Sequence, residues 1–267
     1  MAVGIDALWN YSDPAQSELR FRDALAKLPS DAPPDDALNL RTQIARTYSL
    51  RGKFDDAQRE LDAIEPLLAK GGPEPKVRVL LERGRTLRSS KQGAAARPLF
   101  IRAYEEAVAA KLERLAADAL HMIALVETTL EGQLEWNRRT VEYARGASDP
   151  KARHWEAVAL NNIGVSLNDA GRHEEALAVF RDALAAYQRA GGAANIRIAH
   201  WMIANTLRRL DRIDEALAMQ LDLEAQFKAI GETDPYVFEE LVLLYEKKGD
   251  TAKTAHYREL HRKASGS

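Results

Sequence analysis

The side chains best suited to binding chemistry are the basic residues concentrated between positions 70 and 105. This segment holds nine Lys and Arg residues and three acidic ones, although the whole chain of 267 residues carries 38 basic and 40 acidic residues. An arginine guanidinium presents a planar fork of donors that matches carboxylate and phosphate groups. The segment therefore indicates either an anion-binding surface or a solvated helix face that Glu82 and neighbouring acids neutralise.

Asparagine side chains form a second candidate group. Asn161 and Asn162 are adjacent, and Asn168 and Asn205 follow them along the chain. Each amide has both a donor and an acceptor, so it can hold an extended peptide backbone without contacting the peptide's side chains. These residues favour a peptide-binding groove, and the alternative is an inert polar surface.

The patterns of known catalytic sites are missing from the sequence. It contains no Walker A motif, no Rossmann glycine fingerprint after a strand and no HExxH helix. Ser166 lies in GVSLN, which lacks the second glycine of a nucleophile elbow. Cys is absent, and no two His residues have the i, i+4 spacing that places both imidazoles on one helical face for a metal. We therefore expect no enzyme, no catalytic residue, no metal and no other cofactor.

The elements that carry the candidate residues are predicted to be helices. Ala and Leu far outnumber Ile and Val, and this bias favours helix over strand. No apolar run approaches the roughly 18 residues of a membrane span, and the start MAVGIDALWN lacks the features of a signal peptide. The net charge of −2 gives no overall attraction to nucleic acid or to an anionic membrane. We expect a cytoplasmic all-α protein without a membrane partner, and the balanced charge disfavours nucleic-acid binding through the arginine segment.

The sequence repeats itself throughout its length. The clearest unit covers residues 157–184, with Gly164 in its first helix and Ala176 and Phe180 in its second. Equivalent second-helix positions lie 38 to 40 residues apart, at Ala57, Ala96, Trp136, Ala176, Ala216 and Thr254. A small residue in the first helix lets the second approach closely. Because one helix pair cannot bury its apolar stripe alone, successive pairs are expected to stack into one continuous core.

These offsets resemble the tetratricopeptide repeat, whose usual period is about 34 residues. The longer period and the segment LNNIG are similar to the repeats of kinesin light chains and bacterial peptide receptors. The resemblance implies an all-α solenoid of about six helix-turn-helix repeats in a right-handed superhelix covering residues 36–264. Residues 1–35 are expected to form an N-terminal helix and connector, and residues 265–267 a tail. The implied repeats lie near residues 38–71, 77–111, 117–146, 157–190, 197–230 and 235–263.

The resemblance also implies which residues line the concave face, because ligands of this family contact set positions of each first helix. The arginines are expected to face one another across adjacent repeats. The large apolar residues Met122, Trp201 and Met202 are expected to form a side-chain pocket, unless a tight superhelix buries them against neighbouring first helices. The implied groove residues are Arg46, Arg78, Arg85, Arg88, His121, Met122, Asn161, Asn162, Asn168, Trp201, Met202, Asn205 and Arg208.

The sequence therefore favours a protein-interaction module that binds an extended peptide or a partner helix in its concave groove. The alternative function is a sensor of a small ligand or signalling peptide that changes the compactness of the superhelix. A protein or peptide partner is expected in either case. Self-association stays open, because the last predicted helix, TAKTAHYRELHRK, has a mixed face.

Overall fold

A computed structural model describes residues 4–266, and within that range the regular elements are helices without any strand. The chain divides into two compact units, Met1–Trp155 and Glu156–Ser267. The all-α expectation is confirmed by this arrangement.

The first unit consists of helices joined by short connections. Its helices are α1 (Ile5–Leu8), α2 (Pro14–Ala26), α3 (Pro34–Leu50), α4 (Phe54–Ile64), a 3-10 helix (Glu65–Lys70), α5 (Pro73–Ser89), α6 (Gly93–Ala109), α7 (Glu113–Ala124), α8 (Leu130–Gly146) and α9 (Pro150–Arg153). Consecutive helices pack as pairs, α3 on α4, α5 on α6 and α7 on α8, and α2 packs on α3. The first helices α3, α5 and α7 also contact their neighbours, so they lie side by side along the unit.

The second unit continues with the same kind of element. Its helices are α10 (Trp155–Asp169), α11 (His173–Ala190), α12 (Ala193–Arg209), α13 (Ile213–Ala229), α14 (Pro235–Lys248) and α15 (Thr251–Ala264). Helices α12 and α13 pack together, as do α14 and α15, and α12 also contacts α14. One core cluster at this end of the chain joins Leu223, Val237, Leu241 and Tyr257.

Three helices begin with an Asp–Pro pair. The carboxylates of Asp13, Asp149 and Asp234 each accept a hydrogen bond from a backbone N–H in the first turn of the helix that follows. The proline that comes next costs no hydrogen bond, because the first N–H groups of a helix have no partner within the helix. These caps fix the positions of the residues just beyond them, including Lys151 and Tyr236.

Close contact between paired helices depends on glycine at two equivalent positions. A Cβ atom added to Gly84 would lie 2.4 Å from the ring of Phe100, and one added to Gly164 would lie 2.5 Å from the ring of Phe180. Both phenylalanines are fully buried. The expectation that a small residue in the first helix admits the second helix is confirmed at both sites.

Replacing Gly84 or Gly164 with alanine is expected to lower the free energy of unfolding by about 1–3 kcal/mol, because the added methyl group must displace a buried phenylalanine ring. Gly146→Ala is the matched control, since Gly146 lies in a helix and a Cβ there meets nothing within 4 Å. Urea unfolding followed by circular dichroism measures all three variants. Equal stability of Gly84→Ala, Gly164→Ala and Gly146→Ala would contradict the close-contact explanation.

The repeat frame is less regular in α8 than in the other second helices. Trp136, which the frame places between paired helices, is only half-buried, and the guanidinium of Arg139 lies 4.6 Å from its ring centroid. Its neighbour Asn137 is 2% exposed instead. Trp136 still packs against the main core cluster of the first unit, and Thr140, at the position equivalent to Phe100 and Phe180, is fully buried.

Candidate functional site

The first candidate surface is formed by α3, α5 and α7 in the first unit. Arg46 lies on α3, and Arg78 and Arg85 lie about two turns apart on one face of α5. Together with Arg114 of α7 they line a cavity of about 160 Å³, termed the arginine groove. Its other lining residues are Ile5, Asp6, Trp9, Tyr11, Gln43, Leu81, Glu82, Leu115, Asp118 and Trp155. Arg88 is exposed and is not among the lining residues.

Acidic side chains share this groove with the arginines. Arg85 donates to Glu82 at 2.6 Å and to both carboxylate oxygens of Asp118 at 2.6 and 2.5 Å. Arg46 lies 3.4 Å from the same Glu82 carboxylate. Burial alone would raise the pKa of Asp118, but the Arg85 guanidinium outweighs burial and holds that pKa below its usual value of 3.8. The groove is therefore a network of buried ion pairs.

These pairs correct the expectation of an arginine array that is free to bind an anion. Arg85 is committed to two carboxylates, and Arg78 pairs with Glu74 on its own helix at 2.7 Å. Arg88 does not join the other three in the groove. The sequence also allowed an alternative, in which Glu82 and neighbouring acids neutralise the arginines. That alternative describes Arg85 correctly.

The adjacent residues His121 and Met122 have different environments. The rings of His121 and Trp155 lie 4.7 Å apart, and burial lowers the pKa of His121 to about 4, so the imidazole is neutral at neutral pH. Met122 is 5% exposed and belongs to the main core cluster of the first unit. The expectation that Met122 lines an open pocket is wrong, because its side chain packs into the core between the helices.

Two of the four asparagines hold the second unit together. Asn168 donates to the hydroxyl of Thr206 at 2.7 Å, and Asn205 donates to Glu240 at 2.5 Å. Both amides are almost fully buried, at 4% and 6% exposed. The expectation that Asn168 and Asn205 clamp a ligand backbone is therefore corrected, since their donors are used inside the protein. Asn161 and Asn162 are half-buried on α10.

Arg208 is also engaged within the second unit. Its guanidinium donates to both oxygens of Glu240 at 2.7 and 2.9 Å. The hydrogen bond with Glu240 raises the pKa of Arg208 above its usual value. Arg208 is thus a structural partner of a buried carboxylate, and the expectation that it contacts a ligand is corrected.

The second candidate surface is an apolar cavity of about 510 Å³ in the second unit. Trp201 and Met202 of α12 contribute to its wall, together with Phe227 of α13 and Tyr236 of α14. The complete lining, termed the apolar cavity, is Ala194, Arg197, Ile198, Trp201, Met202, Leu223, Phe227, Glu232, Asp234, Tyr236 and Val237. Three helices therefore surround one opening.

Contacts between α12 and α14 fix the aromatic wall of the apolar cavity. The indole N–H of Trp201 donates to the carbonyl oxygen of Tyr236 at 3.2 Å, and the two rings meet edge to face at 6.4 Å between centroids. Tyr236 is 63% exposed and Ile198 is 52% exposed. Arg197 places its guanidinium 4.8 Å from the ring centroid of Phe227. The wall is ordered by these contacts and still presents apolar surface to solvent.

Several residues that shape these surfaces were not predicted from the sequence. Phe227 and Tyr236 line the apolar cavity, and Asp6, Trp9 and Tyr11 line the arginine groove. The Asp234–Pro235 cap pointed to the start of α14 and thus to the placement of Tyr236. The aromatic pair at positions 9 and 11 had no such signal, because it precedes the repeats.

No group of three or more His, Cys, Asp or Glu side chains that could hold a metal ion occurs among residues 4–266. Over the same residues, every helix is too short or too polar to cross a membrane.

One family model matches a segment that lies almost entirely in the second unit. Residues 155–229 match the family model of the tetratricopeptide repeat. This segment contains α10 to α13, including the Asn161–Asn162 and Trp201–Met202 pairs.

Several solved structures share the fold of the chain. The apo form of RapI is 14% identical, with a TM-score of 0.75 over 97% of this chain and 73% of RapI. TPR-like repeats of a Podosopora anserina kinesin light chain are 14% identical, with a TM-score of 0.58 over 74% of this chain and 98% of theirs. NprR in complex with its cognate peptide NprX is 16% identical, with a TM-score of 0.55 over 98% of this chain and 78% of NprR. The predicted resemblance to long-period tetratricopeptide-repeat proteins is confirmed.

Proposed function

We propose that the chain is a protein-interaction module and that the apolar cavity receives an apolar side chain from an extended peptide or a partner helix. The observation that carries this proposal is an ordered cavity of about 510 Å³ whose wall includes Ile198 and Tyr236, both more than half exposed. Ligand-binding pockets typically measure about 300–1,000 Å³ and are mostly apolar. Burial of Trp, Tyr and Met surface by a partner would supply the main favourable contribution.

The charges at the edge of the cavity favour one kind of partner. Glu232 and Asp234 line the cavity beside a single cation, Arg197, whose guanidinium lies against Phe227. This excess of negative charge favours a partner segment in which a Lys or Arg flanks the inserted apolar side chain.

Two further considerations support binding as the mode of action. The NprR structure, which shares the fold, holds its cognate peptide. The sequence contains none of the catalytic motifs considered above. We therefore propose action through binding and without catalysis, with a protein or peptide as the partner.

Ile198→Asp is expected to weaken binding of a partner peptide at least tenfold, which corresponds to about 1.4 kcal/mol. The substitution places a charge in the apolar wall, and it removes little buried surface because Ile198 is 52% exposed. Peptides selected from a random display library on the wild-type chain serve as probes. Their dissociation constants are measured by fluorescence polarisation with the wild type and the variant.

Ile230→Asp is the matched control for this experiment. Ile230 lies in the same unit, is 51% exposed and does not line the apolar cavity. Binding should survive this change. Failure to select any peptide, equal binding by Ile198→Asp and wild type, or equal losses in both Asp variants would overturn the assignment of the cavity.

A further inference from the structure

A segment of the chain itself lies across the arginine groove. Residues 4–12, which include the single-turn helix α1, contribute Ile5, Asp6, Trp9 and Tyr11 to the groove's lining. The rest of the lining comes from α3, α5, α7 and Trp155. The segment, termed the N-terminal segment, precedes the predicted repeats and occupies a surface that the family resemblance assigns to a ligand.

An acidic side chain anchors one end of the N-terminal segment. The carboxylate of Asp6 accepts hydrogen bonds from both terminal nitrogens of Arg114 at 2.9 and 2.7 Å, and from Lys151 at 2.6 Å. The fork of a guanidinium matches the two oxygens of a carboxylate, so this contact is specific in geometry. The Arg114 hydrogen bond lowers the pKa of Asp6 to about 2, and Lys151 adds to the effect against the opposing influence of burial.

Two aromatic rings anchor the other end. Trp9 and Tyr11 stack with their centroids 4.6 Å apart and an interplanar angle of 2°. The guanidinium of Arg46 lies 5.7 and 5.8 Å from the two ring centroids, within the range of a cation–π contact. The indole N–H of Trp9 also donates to the side-chain oxygen of Gln43 at 3.1 Å. The groove therefore recognises an acid and an aromatic residue by separate contacts.

The attachment of the N-terminal segment has the character of a reversible contact. Helix α1 contains four residues, none of which is buried. The Asp6 pairs are partly exposed, at 44% for Asp6, 41% for Arg114 and 62% for Lys151, so water competes for them. A helix of this length is not stable alone. Ile5, Leu8 and Trp9 pack at the edge of the core cluster of Phe21, Leu40 and Ile44, whereas Asp6 and Tyr11 are not part of it, and Tyr11 is 62% exposed.

We propose that the arginine groove is a second binding site, which takes a peptide segment with an acidic residue followed three positions later by Trp or Tyr, and that the N-terminal segment competes for it. A tethered segment acts at a high effective concentration. A partner in solution therefore binds the wild-type chain weakly until it displaces residues 4–12. This site is separate from the apolar cavity, and the opposite charge preference of the two surfaces distinguishes their partners.

The test uses a fluorescein-labelled peptide with the sequence GIDALWNYS, identical to residues 4–12. In the 267-residue chain, Asp6→Asn combined with Trp9→Ala removes the acidic anchor and one of the two stacked rings of the aromatic anchor. This double variant is expected to bind the peptide at least tenfold more tightly than the wild-type chain. A peptide carrying the same two substitutions is expected to bind the double variant at least tenfold more weakly than GIDALWNYS.

Two further variants, made in the double-variant chain, locate the bound peptide. Arg114→Ala removes the fork that holds the carboxylate and is expected to weaken peptide binding at least tenfold. Arg102→Ala is the control, because Arg102 is an exposed arginine on α6 that does not line the groove. It should leave peptide binding unchanged.

The proposal fails if the double variant binds GIDALWNYS no better than the wild type, or if the substituted peptide binds equally well. It also fails if Arg114→Ala and Arg102→Ala have equal effects. Loss of helical circular dichroism in the double variant would show that the segment is part of the folded core, which contradicts its role as a displaceable ligand. The Asp6→Asn single variant, with one anchor removed, should bind the peptide with an affinity between those of the wild type and the double variant.

Discussion

Replacing Arg85 with alanine is expected to lower the free energy of unfolding by about 3–5 kcal/mol. The guanidinium of Arg85 lies between Glu82 and Asp118, and the three side chains are 12%, 3% and 15% exposed. Its removal leaves two buried carboxylates without the cation that balances them, which costs more than the loss of one ion pair. Urea unfolding followed by circular dichroism measures the change.

Arg102→Ala is the matched control for Arg85→Ala. Arg102 also pairs with a carboxylate on its own helix, at 2.7 Å from Glu106, but its side chain is 67% exposed. Water replaces such a contact readily, so only a small change is expected. If the two variants lost comparable amounts of unfolding free energy, burial of the ion-pair network would not determine how much the network stabilises the protein.

The loss of unfolding free energy caused by Arg85→Ala should also depend on pH, and this dependence provides a second measurement. In the wild type, Arg85 outweighs burial and holds the pKa of Asp118 below 3.8, so the stabilisation is complete above that value and decreases as the pH falls through the lowered pKa. In the variant, burial is no longer opposed by Arg85 and raises the pKa of Asp118, so mild acid protonates the buried group. The difference in unfolding free energy between wild type and variant should therefore shrink between neutral pH and pH about 4.

His121 also changes its protonation in this pH range, and it therefore affects the difference in unfolding free energy between wild type and Arg85→Ala. Burial lowers the pKa of His121 from 6.5 to about 4, so the unfolded chain binds a proton in this range before the folded one does. Both proteins lose stability from this source as the pH falls, and the variant loses less because Arg85 also lowers the pKa of His121; the two proteins are therefore compared with His121→Ala in both. A wild-type-minus-variant difference that stays constant down to pH about 4 would contradict the assignment to Asp118.

The pairing of helices could be predicted because it is encoded in short, regular spacings. Gly164 and Phe180 belong to neighbouring helices of one repeat, and their contact follows from the repeat frame alone. The frame works where the connection between the helices has its usual length. It is less regular at Trp136, which lies half-buried at the edge of the core cluster.

The ion pairs and side-chain hydrogen bonds of the candidate sites could not be predicted in the same way. Asp6 and Arg114 are 108 residues apart, and Asn205 and Glu240 are 35 apart. Acidic and basic residues are frequent throughout the chain, and no periodicity selects which of them meet. The repeat frame placed Arg85 and Asn205 on the first helices correctly, but it could not show that neighbouring first helices already supply their partners.

The apolar cavity was predictable in part. Trp201 and Met202 are large apolar residues at positions that the family resemblance turns inward, and both line the cavity. Met122 has the equivalent position in another repeat and is buried. The two outcomes differ because packing between neighbouring helices covers Met122, whereas the segment between α13 and α14 leaves space in front of Trp201. Sequence spacing within one repeat contains no information about that space.

Arg208→Ala is expected to destabilise the second unit by about 3 kcal/mol. The carboxylate of Glu240 is 3% exposed, and it accepts two hydrogen bonds from Arg208 and one from Asn205. Without Arg208 the buried charge keeps only the neutral amide as a partner. Urea unfolding measures the loss, and the Arg208→Ala/Glu240→Gln double variant should recover much of it, because glutamine retains an acceptor for Asn205 and carries no charge.

Arg212→Ala is the control that distinguishes the effect of burying a charge from the effect of losing an ion pair with two hydrogen bonds. Arg212 also donates two hydrogen bonds to one carboxylate, that of Glu215, at 2.7 Å each, but both side chains are in contact with solvent. Its removal is expected to cause no measurable loss, since water replaces the guanidinium. If Arg212→Ala were as destabilising as Arg208→Ala, or if Glu240→Gln failed to improve the Arg208→Ala chain, the buried charge of Glu240 would not be the source of the loss.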